Sequence, residues 1–94
     1  MLFVVLLDYL CPLPEVDRHM EAHRAFLDRH YAAGHFLLSG RKEPRTGGVI
    51  LARANSQAEL TQWISEDPFR SAGVARYEII GWVPTRAADG WPAG

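Results

Sequence analysis

The side chains able to do chemistry here are histidines along one predicted helix, an aspartate before a proline, and basic residues in a glycine-rich turn. His23 comes first. At about 100° per residue from Val16, along a helix expected over residues 15–33, it falls within about 20° of the centre of an apolar stripe. Val16, Met20, Leu27 and Tyr31 make up that stripe. An imidazole on a core-facing stripe needs a partner for its ring nitrogens.

Asp67 raises the complementary question. In Glu66-Asp67-Pro68-Phe69 the residue before proline is pushed out of the α region, so Asp67 is expected to end the second helix. A carboxylate there meets the negative end of the macrodipole, a penalty of roughly 0.3–1 kcal/mol at an exposed site. The proline is explained by the turn; the charge is not. If the first helix and the residues after the second lie on one side of a sheet, Asp67 could reach His23. Such a pair fixes the imidazole tautomer and stabilises its protonated form, as general acid–base chemistry requires. The plainer alternative is a satisfied structural hydrogen bond, or no contact at all, and spacing by itself favours it.

His19 and His23 stand at i, i+4, a metal-chelating separation, but "HMEAH" places Glu21 one position late for an HExxH site. His19 and His30 drift to the edge of the stripe, where solvated or capping roles are expected, so no metal is assigned. "SGRKEPRTGG" could gather backbone N–H groups around an anion beside Arg41, Lys42 and Arg45, or be a surface turn; it is not a P-loop, since GK[ST] is absent. Ser39 has no neighbouring base and sits in no nucleophile elbow. Cys11, the single cysteine, has no activating neighbour.

The elements that would position these groups follow from the apolar pattern. Residues Leu2 to Tyr9 are apolar on both alternating faces, the mark of a strand covered on both sides. "LCPLP" breaks the chain before the first helix, and Gly34 closes it. "HFLLSG" reads as a second strand and "VILA" as a third. Ser56 and Glu59 form a capping box opening a second helix to about Glu66, and "VARYEIIGWV" is a fourth strand. Residues 1–84 thus form one domain, with an irregular tail over 85–94 that Trp91 could anchor.

The order β-α-β-β-α-β is that of the α+β ferredoxin-like fold: a four-stranded antiparallel sheet with two helices on one face and the doubly apolar first and third strands in its centre. The other face has no second layer, although Ile80 and Trp82 lie on that side of the fourth strand with Arg76 and Glu78. A homodimer packed sheet to sheet is therefore expected.

The 94 residues carry 48% hydrophobic and 22% charged side chains, the balance of one small globular domain. A formal net charge of −1 gives no electrostatic footprint for nucleic acid or an anionic membrane. The opening "MLFVVLLDYL" lacks a basic n-region and is interrupted by Asp8, so it reads as a strand rather than a leader. With one cysteine and no long apolar span, a cytoplasmic setting is expected.

Two stretches together resemble the YCII-related (YciI-like) family, up to about Pro84: "HMEAHRAFLDRHYAAGHFLLSGRKEPRTGGVILA" and "EDPFRSAGVARYEI". The mid-helix histidine, the "SG" ending the second strand, the "GG" opening the third and "DPF" before the last carry the likeness in combination. The resemblance implies a ferredoxin-like chain that dimerises as the dimeric α+β barrels do. It also implies a pocket holding the family's proposed His–Asp pair, which falls on His23 and Asp67. A related enzyme group eliminates chloride from a chlorinated hydroxyhydroquinone, and the wider superfamily includes muconolactone isomerases; both move protons on small oxygenated rings. Where the family usually has proline after "SG", this chain has Arg41, a cation suited to a carboxylate or enolate if it lines the pocket.

The expected function is thus a small acid–base lyase or isomerase without metal or organic cofactor. His23 would shuttle the proton and Asp67 orient it, with Ser39, Gly40, Arg41, Arg45 and Phe69 as candidate binders of a small, anionic substrate. The rival is a binding or regulatory module of the same fold without catalysis.

Overall fold

The computed structural model describes residues 1–91. Its elements run β1 (Leu2–Tyr9), α1 (Leu13–Arg18), α2 (Met20–Ala32), β2 (Phe36–Arg41), β3 (Gly47–Arg53), α3 (Gln57–Ile64), α4 (Pro68–Ser71) and β4 (Ala75–Trp82). The strands order β2-β3-β1-β4, each antiparallel to its neighbours. This is the ferredoxin-like arrangement, with the two doubly apolar strands in the centre.

Register assigns the faces. Val5 pairs with Ile50 and Ile79, and Leu7 with Gly48 and Tyr77, so these residues share one side. There Phe3, Val5, Ile50 and Ala52 form a buried core with Val16, Phe26, Leu60 and Ile64 of the helices. On the opposite side, Val4 pairs with Leu51 and Ile80 while Leu2 pairs with Trp82. That side stays open: Leu38 is 55% exposed, Ile80 44% and Trp82 40%. Among the described residues no helix is long and apolar enough to cross a membrane.

Gly47 sets how closely β3 approaches β1. A Cβ there would lie 1.7 Å from the Leu7 carbonyl oxygen, so no other residue fits without moving a central strand. The capping box forms with a shift. The Glu59 N–H donates to Ser56 Oγ at 3.1 Å as expected, but the Glu59 carboxylate accepts from the Asn55 N–H, one residue before the cap.

The first helix differs from its expected course. It divides at His19, which has φ −105° and ψ 2° and ends α1 while opening α2. No glycine or proline marks the break, so a pattern reading carries the phase of Val16 straight through it. The side of α2 that is buried comprises His23, Phe26 and His30, centred roughly 50° round the helix from the Val16 direction. Tyr31 is consequently exposed, and His30, expected in solvent, is buried at 5% exposure. Its Nε2 lies 3.1 Å from Glu66 Oε1 and its Nδ1 2.9 Å from His35 Nδ1. After Trp82 the chain is irregular to residue 91, and Trp91 is 44% exposed, so it does not anchor the tail. The rest of the expected tail, 92–94, lies outside the described residues.

Candidate functional site

Asp67 and His23 meet. His23 Nδ1 is 2.8 Å from Asp67 Oδ1, joining the first turn of α2 to the link between α3 and α4. The backbone geometry at Asp67 differs from expectation in an instructive way. Pro68 does stop α3, whose C-cap is Ser65, but it also opens α4 as an N1 proline with Asp67 as N-cap. The Phe69 N–H donates to Asp67 Oδ1 at 3.0 Å. The carboxylate therefore sits at the favourable end of one helix rather than the unfavourable end of another.

Its second oxygen accepts from the Tyr77 hydroxyl of β4. Asp67 is fully buried, and these donors from α2, α4 and β4 compensate for its lost hydration. Tyr77 was not singled out from sequence. The available signal was its place on the core-facing row of β4, where a phenol needs a polar partner.

Phe69 fixes the histidine from one side. Its ring stacks on the imidazole with centroids 4.0 Å apart and planes 2° from parallel. With Nδ1 turned to Asp67, Nε2 has no hydrogen-bond partner among the described residues. His23 lines a cavity of about 470 Å³, within the size range of small-molecule sites. Ser39, Gly40, Arg41, Arg45 and Phe69 line the same cavity, and Asp67 lies behind His23. Tyr9, Met20, Arg24 and Leu27 line it too and were not among the sequence candidates.

The cations of the turn separate into three cases. Lys42 turns away from the cavity to Asp8, 2.5 Å from Oδ1, and its hydrogen bond holds the Asp8 carboxyl below the usual range. Arg45 is engaged by Asp17, whose hydrogen bond holds the guanidinium still more firmly in its cationic form. Arg41 makes no ion pair among the described residues, and neither does Arg24 on α2. The cavity lining thus carries three guanidinium groups and one carboxylate. The expected anion-binding loop reduces to one unpaired residue, Arg41, with Arg24 supplied from a helix. Ser39 Oγ is 2.6 Å from the Tyr31 hydroxyl, so it joins a local bond beside the cavity.

The whole defines a ferredoxin-like α+β domain with a carboxylate-held histidine in the wall of an arginine-bearing cavity. More particularly, the chain belongs to the YCII-related domain family, whose model matches residues 1–83. Among solved structures it is similar to the 5-chloro-2-hydroxyhydroquinone dehydrochlorinase TftG from Burkholderia phenoliruptrix AC1100, in complex with 2,5-dihydroxybenzoquinone. The identity is 22% and the TM-score 0.76, over 88% of this chain and 94% of that one. At that identity the likeness concerns the fold. No curated protein matches.

Burial, and then the charge and hydrogen bond of Asp67, push the Tyr77 hydroxyl far above its ordinary value of 10.0. The unfolded chain releases this proton near pH 10 while the folded chain keeps it. The folded state then binds more protons, and stability falls as pH rises. Urea unfolding above about pH 10 should show native stability declining by up to about 1.4 kcal/mol per pH unit from this group. Tyr77→Phe should flatten that slope; an unchanged slope would contradict the placement of the hydroxyl.

Proposed function

We propose that the chain is a small acid–base enzyme of lyase or isomerase type, acting on a compact oxygenated acid derived from an aromatic ring. The observation that carries this reading is the orientation of His23. A buried carboxylate 2.8 Å from Nδ1 favours the Nδ1–H tautomer and leaves the Nε2 lone pair as the base at the cavity. Nε2 removes a proton from the substrate, and Asp67 stabilises the imidazolium that forms. In a lyase the electron pair left behind expels a leaving group; in an isomerase the proton returns at another atom. Proton transfer of this kind uses the protein's own groups and calls on no metal or organic cofactor.

Arg41 and Arg24 are placed to hold the carboxylate or enolate charge of the substrate, since neither makes an ion pair among the described residues. Arg45 contributes what donors Asp17 leaves it. The fold shared with a dehydrochlorinase described in complex with a dihydroxybenzoquinone supports a small oxygenated ring as substrate class. On a substrate found among small hydroxy and phenolic acids, His23→Gln should lower turnover by roughly 10²–10⁴ while circular dichroism stays native. Retained turnover would remove His23 from the mechanism.

A second reading has its own support. Asp67 caps α4 and satisfies Tyr77, reasons enough for a carboxylate even without catalysis. In a pure binding module the acids would bind and none would be converted.

The open sheet face supports a further part of the proposal. Val4, Leu6, Leu38, Leu51, Ile80 and Trp82 lie on that face, and a second copy packed through it would cover them. We place this homodimer in the cytoplasm, in keeping with the lone Cys11. Sedimentation equilibrium at micromolar concentration should return twice the chain mass; a monomer would contradict the assembly.

A further inference from the structure

His30 and Glu66 make a second tie between the same two segments that His23 and Asp67 join. Both histidines are on the buried side of α2, seven positions apart, or about 10 Å along the axis at the α-helical rise. Their carboxylate partners are adjacent residues, with Cα atoms about 3.8 Å apart. The short link between α3 and α4 therefore reaches in two directions along α2: Asp67 toward its first turn and Glu66 toward its C-terminal end. A slide of the link along α2 would have to lengthen one tie or the other.

The neighbouring rings determine how His30 is protonated. Two Nδ1 atoms 2.9 Å apart share one proton, so one ring donates and the other accepts. With the Nε2–H of His30 donated to the Glu66 carboxylate at 3.1 Å, the neutral ring accepts at Nδ1 and His35 donates. His35 is held for this by stacking on Trp63, with centroids 3.6 Å apart and planes 4° from parallel. The other charged group at the cluster is Arg29, whose Nη2 is 4.0 Å from Glu66 Oε1. His30 is otherwise enclosed by Phe26, Phe36 and Trp63.

We infer that His30 and Glu66 are positioning residues for the His23–Asp67 pair, holding the α3–α4 link in the register along α2 that brings Asp67 to His23. The assignment rests on the acid–base role proposed for His23, but its geometry is separate from that role. Glu66 is about half-exposed, so its carboxylate keeps much of its hydration and a single hydrogen bond to it contributes modestly to global stability. Its effect belongs in the position of Asp67, not in the melting temperature.

The test uses the full chain and two signals that report on Asp67: exchange with water of the His23 Nδ1 proton and of the Phe69 amide, both donors to Oδ1. Glu66→Gln keeps an acceptor and removes the charge; His30→Phe keeps an aromatic ring and removes the tie. Both variants should speed exchange of these protons by about ten-fold or more through local opening. Arg18→Gln, which removes only the exposed pair with Glu15, should leave it unchanged. Should either variant fold poorly, the other carries the comparison. Wild-type exchange in a folded Glu66→Gln or His30→Phe variant overturns the inference. Slow Phe69 exchange lost in the variants, with no Nδ1–H signal from His23 even in the native chain, would keep the tie and overturn the acid–base reading instead.

Discussion

One buried charge organises this domain. The Asp67 carboxylate has no exposure to water, and a lone carboxylate in such a place is strongly unfavourable. It is tolerated because an imidazole, a backbone amide and a phenol from three different elements donate to it. Each donor fixes an element: α2 through His23, the start of α4 through Phe69, and β4 through Tyr77. Removing one donor from a buried carboxylate costs about 1–3 kcal/mol or more, beyond the removal of any single exposed ion pair here. The helix layer and the last strand are thus locked together at the point where the cavity begins.

The same constraint prepares chemistry. A histidine held by a carboxylate at Nδ1 and stacked on Phe69 has little freedom left, and it lines the cavity with its other nitrogen unbonded among the described residues. The cations divide labour in a way that charge counting would miss. Lys42 and Arg45 are occupied by Asp8 and Asp17, whereas Arg24 and Arg41, both lining the cavity, make no ion pair among the described residues. For the proposed reaction, a base held in place beside guanidinium groups that pair with no carboxylate among the described residues would suit an anion whose charge grows as a proton leaves.

Much of this could be read from residue order. The doubly apolar runs at Leu2–Tyr9 and around Val49–Ala52 placed two strands in the sheet centre, and the phase of His23 against Val16 put an imidazole on the core face. Other features were hidden for identifiable reasons. The four-residue helix α4 is too short to show a period, so Asp67 looked like the end of one helix instead of the cap of the next. The break at His19 has no glycine or proline to announce it, and it displaced the stripe enough to leave His30 on the wrong side. Arg24 follows His23 directly, yet its place at the cavity depends on how α2 lies over β2, which no spacing within the helix reveals.

In the proposed mechanism Asp67 holds the proton of neutral His23 on Nδ1, leaving Nε2 as the base. A long-range proton–nitrogen correlation spectrum of the histidine rings distinguishes the two tautomers directly. Neutral His23 in the native chain should carry its proton on Nδ1, with Nε2 bare. A neutral His23 protonated on Nε2 would contradict it, for the imidazole would then offer no base to the cavity.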